Sequence, residues 1–450
     1  MINIFVSDKI IITGLDPEGI AAVEKTLTIP NPMFHKLLAM KKPLWGVPKE
    51  YKYYISGNNS IAIPRGMRTR FITWCEKKGL KYSVTEVGGE NEKVMSWKAL
   101  KFKGELREYQ KPIVDQVITH TEGVINMGTG TGKTVVGLVV ASKLRQRTTV
   151  LVPNNVLLSQ FRTACRNFFE YEPGIINGEE KTIGEVTIAT YQSLGTNPEL
   201  LAELARRTGT LIVDECQGAV TDQRLEIINA FMPKHLYGLS ATPARAESDG
   251  RTKAIFMVFG NVIAEYLPTQ CTPKVHIINT KTEFPADEYH RMIENMVRHE
   301  GRNKLITATI LGEALAGKKV LVLTKRIEHY QNLRKYMPDS DMYKYIDSDD
   351  KDRNDRLERM KNGDEDFTVI FGTVSLLAVG TDIPQLDTLI IACDMKEDTL
   401  TTQSIGRILR LFEGKPEPKV IDIVDNYCPV FKRQAQARAR LYQAKGWKII

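Results

Sequence analysis

The chain has 450 residues, enough for two or three domains. Its 42% apolar and 26% charged residues are ordinary for folded protein, and no apolar run approaches the roughly 20 residues of a membrane span. The net charge of +8 is concentrated at the ends: residues 1–100 carry fifteen Lys and Arg against nine Asp and Glu, and 430–450 carry six and no acid, which suits a polyanionic partner as well as solvated lysines.

The first residues, MINIFVSDKIIITG, lack a basic n-region and a small-residue cleavage site, so they read as a strand pair and not as a signal. Alternating stretches at 52–55 and 60–63, separated by Ser56-Gly57-Asn58-Asn59, predict a hairpin. Residues 68–78 predict an amphipathic helix with Phe71, Trp74 and Cys75 on one face. These make a small α+β domain over 1–95, ended by a linker at Gly88-Gly89-Glu90-Asn91. From about residue 100 the pattern changes to strands at 124–126, 149–152, 186–189, 210–213 and 236–239 with helical stretches between most of them. Prolines at 268 and 273 mark a boundary, and strands resume at 320–323, 341–345, 368–371, 388–391 and 419–423. The expected fold is α/β, with two tandem parallel-sheet lobes at 96–267 and 268–450, the second ending in a basic helix. Six scattered cysteines with no C-x-x-C argue for reduced thiols in a cytoplasmic setting and against zinc.

The sharpest motif is MGTGTGKT at 127–134, after one predicted strand and before a helical pattern. Such a loop turns backbone N–H groups toward a polyphosphate, with a helix N-terminus behind them. Gly128, Gly130 and Gly132 permit backbone that a Cβ would block, with Thr129 and Thr131 between them. Lys133 would reach the β- and γ-phosphates of ATP, and Thr134 would hold Mg²⁺. Met127 stands where the strict pattern has a small residue.

Asp214-Glu215 follows the apolar run 210–213, at the carboxyl end of a predicted parallel strand, where open α/β sheets take their ligands. Asp214 would bind Mg²⁺, and Glu215 would orient or deprotonate the attacking water. Ser240 and Thr242 follow the next strand and would couple the ATP site to the lobe interface. Tyr109-Gln110 lies upstream of the loop, and the amide of Gln110 suits an adenine edge. In the second lobe Gln403, Arg407 and Arg410 lie on a short predicted helix; Arg407 and Arg410 share a face and would act as arginine fingers on the γ-phosphate. Gly380 and Asp382 would shape a loop at the ATP cleft, and Thr373 would face a nucleic-acid backbone.

In this order the motifs resemble those of the superfamily 2 helicases, over about residues 100–425. The resemblance implies RecA-like lobes. It also implies nucleic-acid contacts from Pro153 and Gln160, from Thr190, Tyr191 and Gln192, and from Thr324 and Lys325. The second motif reads DECQ, neither DEAD nor DEAH, which weighs against an RNA helicase. The layout of basic N-terminal domain, two lobes and short basic C-terminal helix is similar to phage branch-migration helicases of the UvsW type. In the N-terminal domain Arg65, Arg68 and Arg70 would grip duplex DNA; Trp45, Tyr53 and Tyr54 are aromatic enough to stack on a base but are expected in the core.

The implied activity is ATP-driven unwinding or branch migration of forked and four-way DNA by a monomer in the cytoplasm, that of a host cell if the source is viral. Hydrolysis would open and close a cleft between the lobes, with no membrane partner. Two alternatives remain: a duplex translocase that does not unwind, which would share both lobes, and a kinase or nucleotide-gated binding protein, which would share the phosphate loop. The second lobe argues against the kinase, and the missing nuclease signature removes one context for the translocase.

Overall fold

The computed structural model describes all residues except 87–99, 129, 242–251, 268–271, 286–287, 347–349, 351, 375–382, 396–400, 402–403, 407 and 410–414, and the side chains of 252 and 354. The chain forms two compact units that divide after residue 268.

The first unit begins with a five-stranded sheet in the order Ile55–Gly57, Ser60–Pro64, Lys9–Thr13, Ile2–Val6, Tyr82–Glu86. Ile2–Val6 alternates buried and half-buried residues, so Ile2, Ile4 and Val6 enter the core. The predicted strand pair at the N-terminus is present, antiparallel, with Ile4 opposite Ile12. The predicted hairpin is also present, but its first strand is Ile55–Gly57, with Gly57 opposite Ser60 and Asn59 at φ 68° in the turn. Glu50–Lys52 pairs with Thr28–Pro30 instead. The helix Arg68–Lys77 buries Phe71 and Cys75, as its periodicity predicts.

Seven parallel strands follow in the order Gly174–Ile176, Val186–Thr190, Thr148–Val152, Thr210–Val213, His235–Ser240, Glu122–Met127, Val262–Tyr266. Each strand between the two edges is buried along its whole length, because helices cover both faces. The helix Lys133–Leu144 likewise buries Val136, Leu138, Val139 and Val140.

The second unit holds a second seven-stranded parallel sheet, ordered Tyr343–Tyr345, Val369–Thr373, Val320–Thr324, Thr388–Ile391, Lys419–Val424, Lys274–Asn279, Lys448–Ile449. The two sheets match the RecA-like tandem expected from sequence. Short strands at Gly174–Ile176 and Lys448–Ile449, and the strands Val262–Tyr266 and Lys274–Asn279 flanking the proline-marked boundary, were not legible from periodicity. The C-terminal helix Pro429–Ala444 is not basic all round: Arg438 is 2% exposed, pairs with Asp422 at 2.8 Å and donates to the Met395 carbonyl at 2.6 Å. One of the six charges counted toward a polyanion is therefore spent inside the unit.

Candidate nucleotide site and motor residues

The phosphate loop lies between the strand Glu122–Met127 and the helix Lys133–Leu144. Gly132 caps that helix with φ 81° and ψ 36°, a left-handed conformation that favours glycine. A Cβ there would lie 2.5 Å from Gln110 Nε2. Thr131 Oγ1 donates to the Gly128 carbonyl at 2.7 Å, which folds the loop back on itself. Lys133 Nζ donates to the Met127 carbonyl at 3.2 Å. Met127 itself is fully buried in the core under the loop. Its side chain therefore faces the core while its carbonyl meets Lys133, which explains how a large residue is accommodated at this place. Thr134 is half-buried in the first turn of the helix, and Thr129 lies outside the described residues.

Tyr109 and Gln110 embrace the loop. The Tyr109 hydroxyl and Gln110 Nε2 both donate to the Thr131 carbonyl, at 3.1 and 2.9 Å. Gln110 Oε1 accepts from the Arg107 N–H at 3.0 Å. Each end of the Gln110 amide makes one bond to the chain itself, so in this structure the side chain supports the loop. Tyr109 stacks on Tyr266 with ring centroids 3.9 Å apart and planes 3° from parallel, and the Tyr266 carbonyl accepts from the Gly128 N–H at 3.0 Å. Sequence reasoning missed Tyr266, since nothing in a lone tyrosine 139 places past Met127 marks it.

Asp214 follows the strand Thr210–Val213 and is 4% exposed. Burial first, and the adjacent Glu215 charge second, push its carboxyl up to about 7, against the pull of Lys133. A buried carboxylate so poorly compensated fits a divalent cation. Glu215 has φ 49° and ψ 47°, an uncommon conformation for a residue with a side chain. Its carboxylate accepts from Gln217 Nε2, and Gln217 Oε1 accepts from Ser240 Oγ at 2.7 Å. Gln217 and Ser240 are both buried, so a continuous relay runs from the end of one strand to the end of its neighbour.

The expected nucleic-acid contacts divide by exposure. Pro153 and Gln160 are half-buried, and Gln192 is exposed. Thr190 instead caps its own short helix, and the Tyr191 ring is buried with the Arg224 guanidinium 5.0 Å from its centroid. Thr324 is fully buried and donates to the Arg326 carbonyl at 3.1 Å. Lys325 Nζ is half-exposed and sits 3.1 Å from the buried Asp394 carboxylate. Thr373 ends its strand half-buried. Arg65 corrects the expectation most clearly: its guanidinium is buried, pairs with Glu122 at 3.3 Å, and donates to the carbonyls of Ser7, Pro233 and Lys234. It is not presented to a phosphate. Arg68 pairs with Glu86 at 2.5 Å, and Arg70 reaches Asn261 Oδ1 at 2.6 Å; Arg70 is exposed. The expected core role of Trp45 is also overturned, for it is 97% exposed, while Tyr53 and Tyr54 pack against the core. Thr242, Gly380, Asp382, Gln403, Arg407 and Arg410 lie outside the described residues.

Comparison with known proteins agrees with this geometry. Residues 103–245 match the model of the Type III restriction enzyme, res subunit, and residues 301–412 match the Helicase conserved C-terminal domain. The probable helicase D10 of Escherichia phage T5 is 26% identical over 89% of this chain and 88% of its own. The DNA 3'-5' translocase XPB2 of Sulfurisphaera tokodaii is 24% identical over 72% of this chain and 82% of its own. Among solved structures, a fragment assigned to the HsdR subunit of a type I restriction enzyme from Vibrio vulnificus aligns with a TM-score of 0.57 and 22% identity, over 78% of this chain and 68% of that one, a likeness of fold. With a phosphate loop, a buried Asp214 followed by the half-buried Glu215, and two parallel-sheet units in the order these models require, the chain belongs to the superfamily 2 helicases and is an ATP-dependent helicase.

Proposed function

We propose that this helicase translocates on DNA and remodels branched DNA, forks and four-way junctions, in the manner of the phage branch-migration helicases it resembles. The observation that carries the reading is the buried bond between Arg65 and Glu122. Glu122 opens the strand that ends at the phosphate loop, and Arg65 belongs to the basic N-terminal domain. The bond thereby ties the strand that leads into the phosphate loop to a domain charged for a polyanion. The name of the DNA translocase among its relatives supports DNA as the track.

In this reading Lys133 and the loop N–H groups hold the ATP phosphates, with Thr134 and Asp214 holding Mg²⁺. The ion, when bound, neutralises phosphate charge. Glu215, held by Gln217, orients the attacking water. Arg407 and Arg410 act on the γ-phosphate as it leaves, and Ser240 relays the state of Glu215 toward the next strand. Gln192, Lys325, Arg68 and Arg70 contact the DNA backbone, so sequence preference is weak and affinity falls with salt.

The test is ATPase stimulation and strand separation on single-stranded, duplex, forked and four-way DNA beside matched RNA. Forked or four-way DNA is expected to stimulate most, and Lys133→Ala to abolish strand separation. Strand separation by Lys133→Ala in the presence of ATP would sink the proposal. Displacement of a third strand from a triplex without duplex separation would move it to a non-unwinding translocase.

A further inference from the structure

The N-terminal domain carries an excursion, residues 31–49, that its sheet does not need. Its root is stapled. Thr28–Pro30 pairs with Glu50–Lys52, the Asn31 N–H donates to the Lys49 carbonyl at 3.0 Å, and Asn31 Nδ2 donates to the Pro48 carbonyl at 2.7 Å. Asn31 is 2% exposed and also caps the helix Pro32–Ala39 by accepting from the Met33 N–H. That helix buries none of its residues. At the far end, the Val47 N–H donates to the Leu44 carbonyl at 3.0 Å and closes a turn with Trp45 and Gly46 at its corners. Gly46 has φ 72°, which the third position of such a turn requires of glycine. Trp45 is therefore held out by an ordered turn at the tip of a stapled finger, 97% exposed.

Solvent exposure of one apolar side chain is unremarkable, but an almost wholly exposed indole is not, and Leu38 and Met40 of the same excursion are each more than half exposed. The chemistry around it is one-sided. Residues 26–49 contain Lys36, Lys41, Lys42 and Lys49 and no Asp or Glu, and all four lysines are exposed. A protein partner with an apolar face would need no such charge. A strand of nucleic acid supplies what both features lack: phosphates for the lysines and an unstacked base for the indole.

We infer that the 31–49 finger is a DNA contact, with Trp45 stacking on a base opened at a junction and the lysines holding the flanking phosphates. This rests on the DNA-remodelling reading above, and it adds the group that would hold the strands apart. It also accounts for a turn that displays Trp45 where a polar residue would serve solubility better.

The experiment uses the full chain without nucleotide, titrating fluorescently labelled forked, single-stranded and blunt duplex DNA at several salt concentrations. Trp45→Ala is expected to weaken fork binding about tenfold, to weaken blunt duplex binding little, and to leave the salt slope unchanged; Trp45→Phe is expected to restore most of the loss. The double substitution Lys41→Ala, Lys42→Ala is expected to weaken all three DNAs and flatten the salt slope by about two. Circular dichroism melting and DNA-independent ATPase, which the finger does not touch, report whether each variant is folded. Equal affinity of Trp45→Ala and the unsubstituted protein for all three DNAs overturns the inference while leaving the motor reading intact. If the unsubstituted protein binds none of them, both fall. Concentration-dependent self-association that Trp45→Ala abolishes, with DNA binding unchanged, would assign the finger to a second copy of the chain instead.

Discussion

Arg65 and Glu122 meet at 3.3 Å with both side chains 5% exposed, and they join the N-terminal domain to the strand that leads into the phosphate loop. Burial pushes the Glu122 carboxyl above the usual carboxylate range and the Arg65 guanidinium below its own, in each case against the attraction of the partner. The pair is therefore costly to bury and costlier to break, since removing one partner strands the other. Arg65→Ala is expected to destabilise the first unit by about 3–5 kcal/mol. Replacing both, as Arg65→Met with Glu122→Leu, should recover part of this but not all, because the carbonyls of Ser7, Pro233 and Lys234 lose their donor. Denaturant unfolding of the three proteins measures both effects; equal losses in the single and double variants would show that the carbonyl contacts carry the whole energy.

Gly132 sets up a second prediction. Alanine there meets both a left-handed backbone and the Gln110 amide. Gly132→Ala is expected to weaken ATP binding at least about tenfold through a shift of the loop, on the order of the 1–3 kcal/mol that such a conformation costs. Adding Gln110→Ala removes the contact but not the backbone strain. Calorimetric titration of ATP into the double variant should show partial recovery, and none would mean that backbone strain alone accounts for the loss.

Asp214 opposes stability to function. Its folded pKa, about 7, lies above the unfolded carboxylate value, so the group favours the folded state fully only below that unfolded value, and the favour is lost as pH rises toward 7. Asp214→Asn in the metal-free protein should therefore stabilise the fold at pH 8, by up to about 4 kcal/mol, and progressively less as pH falls from 7 toward 4. The same variant should lose ATP hydrolysis. Thermal melting at pH 8 and pH 5 reads the first claim, and a destabilised variant at pH 8 would refute it.

Gln217 positions Glu215 and touches no reacting atom in this proposal. Gln217→Ala is expected to lower kcat for ATP by about 10- to 100-fold with KM nearly unchanged, because the loss falls on orientation of the water-activating carboxylate. Gln217→Glu should do at least as badly, placing a second negative charge beside Glu215. A rise in KM equal to the fall in kcat/KM would mean that Gln217 supports ATP binding instead.

Much of this molecule could be read from the chain. Strands buried on both faces announce themselves as apolar runs, and the runs 210–213 and 236–239 fall within a residue at each end of the observed Thr210–Val213 and His235–Ser240. Gly132, Lys133, Asp214 and Glu215 are recognisable because a phosphate loop and a strand-end carboxylate pair are local in sequence. Local pattern also yielded the N-terminal strand pair and the helix Arg68–Lys77.

What pattern could not tell is which charges and rings are available. Arg65 and Arg68 look alike in the run Arg65 to Arg70, yet only tertiary packing brings Glu122, 57 places away, against one of them and buries it. Trp45 sits among apolar residues and reads as core, yet the turn rooted by the pairing of Asn31 with Pro48 and Lys49 leaves its indole 97% exposed. Tyr266 meets Tyr109 only because its strand pairs beside Glu122–Met127. Sequence alone determined the fold class and located the phosphate-loop and strand-end carboxylate motifs, because both rest on periodicity and short spacing. The tertiary structure alone decided which side chains are struts and which face solvent, because burial and long-range pairing depend on residues that the chain brings together only when it folds.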